Sequence, residues 1–281
     1  MKKKIIISFS LLLLFSAWIR VAGAQINILG EMSHEKKARP GETYEGEIII
    51  KNRGQGIEEV KIYQTDYLFS CEGGSTYGEP GKIPRSNAPW IKFRPNRLKI
   101  GPKQQESIHY VVKTPRDESL VGTYWSILMI EPISKDSPES SQSKENDVAI
   151  GVRQIFRYGV QIATHIGNTG VGMLMFLDTK LLKEKEERIL KVDVENIGET
   201  FLRPSLSVEL FNENGTHVGR YKAGPFRTYP GTSVRFEVDL GQIAEGIYKA
   251  LVVADCGGEN VFGGTYNLKI QNKEKIAENI K

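Results

Sequence analysis

Tyr44-Glu45-Gly46-Glu47-Ile48-Ile49-Ile50-Lys51-Asn52-Arg53-Gly54 and Ile189-Leu190-Lys191-Val192-Asp193-Val194-Glu195-Asn196-Ile197-Gly198 decide the fold. In each, apolar side chains recur with a period near two and then meet Asn-x-Gly, a strand entering a turn that Asn and Gly make without strain. A second landmark follows each copy. Gly122-Thr123-Tyr124 stands 70 residues after Asn52, and Gly246-Ile247-Tyr248 stands 50 residues after Asn196. The surplus in the first copy matches a long loop from Phe69 to Trp90. One plan of short strands and Gly/Pro/Asn/Asp turns is used twice, which predicts an all-β chain of two sandwiches.

Between the landmarks the first copy continues with strands at Glu59 to Tyr63, Arg97 to Ile100, Ser107 to Val112 and Gly122 to Ile130. A long strand from Val148 to Ala163 closes it. The second copy adds Phe201 to Phe211, Ser233 to Leu240, Ile247 to Asp255 and Val261 to Ile270, with Gly257-Gly258-Glu259-Asn260 as the last hairpin turn. A Gly-x-Tyr opening the penultimate strand resembles the tyrosine corner of immunoglobulin-like sandwiches, whose phenol hydrogen-bonds nearby backbone. The fold class expected is therefore two immunoglobulin-like β-sandwich domains in tandem. Their expected spans are 25–165 and 166–270, meeting where His165-Ile166-Gly167-Asn168 breaks the strand pattern. A charged tail, 271–281, follows, with Ile276 and Ile280 at helical spacing.

The chain opens on Met1-Lys2-Lys3-Lys4, an apolar run from Ile5 to Ile19, and Ala22-Gly23-Ala24. A positive start, a short apolar core and an Ala-x-Ala exit describe a secretory signal peptide over 1–24 cut after Ala24; the core is too short to span a bilayer comfortably. The expected location is outside the cytosol, periplasmic or at the cell surface, with no transmembrane span in the mature chain. Of the 38 basic residues four lie in the leader, so the mature chain carries 34 basic against 34 acidic residues. A neutral surface gives no electrostatic case for nucleic acid.

Chemistry-bearing patterns are missing. There is no Gly-x-Ser-x-Gly elbow, no His-Glu-x-x-His and no phosphate loop ending in Lys-Ser/Thr, so no enzyme activity and no cofactor are expected. Two cysteines, Cys71 and Cys256, and four scattered histidines offer no metal-ligand spacing. The cysteines either bridge the two domains or stay free; their spacing leaves both open. Asn212-Glu213-Asn214-Gly215 reads as a type I′ hairpin turn on its Asn-Gly pair. Ser134 to Asp147 is polar and nearly free of apolar side chains, as in a mobile loop.

The strand after that loop reads Val148-Ala149-Ile150-Gly151-Val152-Arg153-Gln154-Ile155-Phe156-Arg157-Tyr158-Gly159-Val160. It resembles the final N-domain strand of PapD-like periplasmic pilus-assembly chaperones, where alternating aliphatics precede a basic, aromatic-rich stretch. That resemblance implies a boomerang of two immunoglobulin-like domains that lends this strand to a surface or pilus subunit lacking its own. Val148, Ile150 and Val152 then match the lent positions. Arg157 matches the cleft lysine that grips a client's terminal carboxylate, and Arg153 stands beside it in the basic stretch. The family's Tyr-Arg-Pro is replaced by Val160-Gln161-Ile162, and its first-strand arginine has only Lys36 nearby. Read on spacing alone, Val148, Ile150, Val152, Phe156, Tyr158, Val160 and Ile162 share one phase and can equally face the sandwich core. A further alternative is a secreted envelope adhesion module whose long loops, with Tyr67, Phe69, Tyr77 and Trp90, bind protein or envelope polysaccharide.

Overall fold

The computed structural model describes residues 25–134, 139–140, 155–184 and 187–271. The first half contains β1 (Ile26–Leu29), β2 (Ser33–Ala38), β3 (Thr43–Asn52), β4 (Glu58–Phe69), β5 (Ser75–Gly78), β6 (Ile91–Arg94), β7 (Arg97–Ile100), β8 (Gln105–Lys113), β9 (Gly122–Ile133) and β10 (Tyr158–Ile166). The second contains β11 (Leu174–Glu184), β12 (Glu187–Asn196), β13 (Ser205–Asn212), β14 (His217–Ala223), β15 (Ser233–Asp239), β16 (Gly246–Asp255) and β17 (Val261–Ile270). One 3-10 turn, Ala88–Trp90, is the sole helical element among the described residues.

Four sheets pack in two pairs. In the first sandwich β1-β3-β8-β6 faces β2-β10-β9-β4-β5, with β7 also on β4; in the second β11-β12-β15 faces β14-β13-β16-β17. The inward phase of each strand fills one of two cores. Ile48, Ile50, Val60, Ile62, Ile108, Leu128, Ile130, Val160 and Ile162 make the first. Leu190, Val192, Val194, Leu206, Val208, Phe236, Val238 and Val252 make the second. The N-terminal segment switches sheets: β1 pairs antiparallel with β3, then β2 crosses over and pairs parallel with β10. Its last strand, Ser33-His34-Glu35-Lys36-Lys37-Ala38, is an edge whose charges discourage further pairing.

The doubled Asn-x-Gly does more than turn the chain. Asn52 and Asn196 are both fully buried. Asn52 Nδ2 donates to the carbonyls of Gly56 (2.7 Å) and Ile100 (2.9 Å), and its Oδ1 accepts the Gly54 amide. Asn196 repeats each bond, to Thr200 (2.8 Å), Thr228 (3.0 Å) and the Gly198 amide. At Gly198 a Cβ would lie 2.5 Å from the Val171 carbonyl oxygen, so close backbone approach demands glycine there.

The second landmark divides. Tyr248 donates to the Ala244 carbonyl at 3.0 Å and forms the corner. Tyr124 instead lies against Trp90, ring centroids 4.7 Å apart, with the Arg85 guanidinium carbon 5.4 Å from its ring centre. Tyr248→Phe is expected to cost about 1 kcal/mol, the net worth of one hydrogen bond, and Tyr124→Phe close to nothing. Paired urea titrations that gave equal losses would contradict this assignment.

Four expectations need correction. The closing strand starts at Tyr158 and ends at Ile166, beyond the expected Ala163. Ile155–Arg157 stand outside it, and Val148 to Gln154 lie outside the described residues. The strand drawn from Phe201 begins at Ser205. The Asn212 turn is not type I′, because of its central residues only Gly215 has positive φ. Asn212 Oδ1 accepts the amides of Asn214 and Thr216, holding the turn open by one residue so that Gly215 alone takes the left-handed conformation. The long loop expected from Phe69 to Trp90 is not all loop. It carries β5, and buried Asp66 anchors it by accepting the amides of Gly81, Lys82 and Ile83 and the Ser86 hydroxyl.

Candidate functional site

Strand β10 carries the site, and its two ends differ. One edge pairs along its whole length with β9, from Tyr158 opposite Ile130 to Ile166 opposite Gly122. The other edge pairs with β2 only from Gln161 opposite Ser33 onward. Among the described residues no strand pairs with that edge at Tyr158, Gly159 and Val160. Just upstream, Ile155 and Phe156 are 46% and 41% exposed, apolar surface beside a backbone that no strand pairs among the described residues.

Phase settles which side chains are spoken for. Val160 and Ile162 are fully buried and Tyr158 packs on the same core, its hydroxyl donating to the Ile26 carbonyl at 2.6 Å. The inward reading thus holds for the later part of the strand. Arg157 has the opposite phase and faces solvent. It stands across from Glu131 on β9, with its Nε 3.2 Å from the carboxylate. Glu131 also accepts the Tyr63 hydroxyl at 2.7 Å and has Lys61 Nζ at 3.5 Å. The Arg157 guanidinium is therefore engaged within the domain, itself exposed but paired with a mostly buried carboxylate.

Lys36 is exposed on β2, in register with Thr164. From Arg157 to Thr164 is seven residues, about 23 Å of strand at roughly 3.3 Å each. The fold does not bring Arg157 and Lys36 together. Val148, Ile150, Val152 and Arg153 lie outside the described residues.

The far end of β10 reaches a second assembly that the sequence did not announce. Trp125 and Tyr229, both almost wholly buried, stack at 4.9 Å, and Phe201 packs on Tyr229 at 5.0 Å. The Trp125 indole donates to the Tyr67 carbonyl at 2.9 Å. The backbones also touch: Thr123 N–H donates to the Glu199 carbonyl at 2.8 Å, and a Cβ on Gly122, at φ +74°, would lie 2.1 Å from that oxygen. Arg227 reaches from the second sandwich to Ser33 and Glu35 on β2. This seam joins the first sandwich to the second.

The aromatic candidates fall into it in part. Tyr67 lies 5.4 Å from Phe69 and 5.2 Å from Tyr77, while Trp90 packs inward on Tyr124; only Tyr77, 56% exposed, offers a free face. Both thiols are free. The Cys71 amide bonds Ser233 Oγ at 3.0 Å, and burial pushes the Cys256 thiol up to about 11. Among the described residues no group of three or more His, Cys, Asp or Glu side chains is placed to hold a metal ion, and no helix is long and apolar enough to cross a membrane.

No family model and no curated protein sequence matches the chain. Solved structures do match, at the level of fold. The class 5 fimbriae chaperone CfaA is 11% identical, with TM-score 0.44 over 88% of this chain and 100% of its own. The YadV chaperone is 15% identical, with TM-score 0.40 over 87% and 100%. The CsuC–CsuE chaperone–tip subunit pre-assembly complex from the archaic chaperone–usher Csu pili of Acinetobacter baumannii is 13% identical, with TM-score 0.42 over 85% and 98%.

Proposed function

We propose that the chain is an exported, non-enzymatic protein-binding protein, a chaperone or accessory factor for surface or pilus subunits that acts by β-strand addition. In this reading a leader at 1–24 is removed and the protein works in the periplasm or at the cell envelope. The domain at 25–165 offers its closing strand to a client, and the domain at 166–270 supports it. The observation that carries the reading is the half-covered edge of β10. An edge whose partner strand stops at Gln161 among the described residues, with exposed Ile155 and Phe156 directly upstream, would supply both backbone and apolar surface for an incoming strand. Val148, Ile150 and Val152 extend the same line of sequence and are proposed to enter the client's groove, with Arg153 and Arg157 flanking them. Arg157 would reach a client carboxylate only by leaving Glu131. Lys36, about 23 Å away by register, is assigned to a separate part of the client surface. An envelope polysaccharide as partner is the weaker reading, drawing on Tyr77 alone.

Ile150→Asp tests the proposal. A client-facing Ile150 predicts an unchanged melting temperature and loss of the surface subunit that co-purifies with the parent protein from the envelope fraction. A core Ile150 predicts the reverse: a buried, unpaired carboxylate costs several kcal/mol and lowers the melting temperature sharply. Recovery of no subunit by the parent protein would also count against strand addition.

A further inference from the structure

Three of the four histidines stand away from the seam: His34 bonds the Tyr110 hydroxyl within the first sandwich, His109 pairs with Glu47, and His217 packs on Phe211. His165 alone is built into it. Its Nδ1 lies 2.9 Å from Thr123 Oγ1, and that same oxygen accepts the backbone N–H of Phe201, at 2.9 Å, from the second sandwich. A threonine oxygen can accept twice, so the Phe201 bond leaves either atom of the Thr123–Nδ1 contact able to donate. The other ring nitrogen, Nε2, lies 3.7 Å from Glu35.

Every charged group around this ring ties one sandwich to the other or crowds the site. Glu35, on β2, is also the partner of Arg227 from the second sandwich. The Arg227 guanidinium lies over the Phe201 ring, 5.6 Å from its centre, and that ring is 6.0 Å from the imidazole. Lys37, also on β2, contributes positive charge at His165 and bonds Asn168. Tyr229 stacks behind Phe201 and feels both Glu35 and Arg227.

We propose that His165 makes the seam acid-sensitive, so that protonating its imidazole loosens the second sandwich from the first while both stay folded. Protonation makes both ring nitrogens donors, so the Thr123 oxygen can only accept from Nδ1 and its hydroxyl proton must point away from the ring. The new cation stands near Lys37 and competes with Arg227 for Glu35. Burial already holds His165 below the ordinary histidine range, with Lys37 adding to it and Glu35 opposing. The sign follows: the stability this group lends the closed seam is present above about pH 6.5, the unfolded histidine value, and is lost as pH falls through the depressed native value.

Spin labels on exposed Lys92 and Lys249, each replaced by Cys in a Cys71→Ser, Cys256→Ser background, read the distance between sandwiches directly. A narrow distribution at pH 7.5 should broaden or lengthen at pH 5.0 and narrow again on return, with far-UV circular dichroism unchanged. His165→Gln should stay narrow at both values. A ring-proton NMR titration of His165 in the parent protein should share the midpoint of the distance change, and decides the matter alone if the Gln variant does not fold. Broadening that persists in His165→Gln, a distance unaltered down to pH 5.0, a His165 midpoint at or above 6.5, or loss of strand signal at pH 5.0 would each overturn the proposal.

Discussion

Trp125→Ala is expected to cost about 3 to 5 kcal/mol, the range for removing a large buried aromatic side chain. Trp125 is 1% exposed, stacks on Tyr229 and carries Phe69, Ile83 and Phe201 around it. Its loss opens a cavity in a cluster drawn from both sandwiches, so neither can close over the gap by itself. It also leaves the Tyr67 carbonyl without its indole donor. Urea denaturation monitored by far-UV circular dichroism measures the loss, and Trp125→Phe, which keeps most of the apolar volume, should lose distinctly less. A Trp125→Ala penalty under about 1.5 kcal/mol would mean that the cluster collapses freely and does not brace the seam.

Asn52→Ala and Asn196→Ala should each cost about 2 to 4 kcal/mol, and nearly the same amount as each other. Each substitution strands two carbonyls, Gly56 and Ile100 in one case and Thr200 and Thr228 in the other, and a buried polar group left unpaired costs about 1–3 kcal/mol. Equality is the sharper part of the prediction. The two sites share bond types and burial without sharing neighbours, so their difference isolates context. Asp is the diagnostic replacement: it keeps the acceptor for Gly54 or Gly198 but has no donor for the carbonyls, and should be at least as damaging as Ala. If Asp rescued either site, the amide donor would not be what holds these strand ends.

These asparagines mark where sequence reading works well. An alternating strand that runs into Asn-x-Gly was enough to find two sandwiches, because inward phase and turn chemistry are both local. β2 escaped because Glu35, Lys36 and Lys37 give an edge strand no apolar alternation; its place is fixed only by pairing with β10, over 120 residues away. β11 and β14 were hidden for related reasons. β11 exposes Met175 and Leu177 on its outer face beside buried Leu174, so no clean period of two appears. The seam was illegible as well. Nothing near Trp125 in sequence indicates that Tyr229 will stack on it, since the pair exists only after both sandwiches have formed. The edge at Tyr158–Val160, which no strand pairs among the described residues, has the same character: the alternation of the strand was visible, but where its partner stops depends on where β2 begins.

The crossing of β1 and β2 between sheets also bears on how the chain acquires its structure. The parallel pair that closes the first sandwich joins Ser33 to Gln161 and Ala38 to Ile166, contacts among the most distant in that half. Pairing of this kind carries a large loop-closure entropy and is slow, because little is gained until both ends are present. As the chain is synthesised, the first sandwich cannot be completed until residue 166 is available, and until then its leading strand has no partner in the second sheet. The contacts that hold β2 in the second sheet are therefore the last that the first sandwich can make.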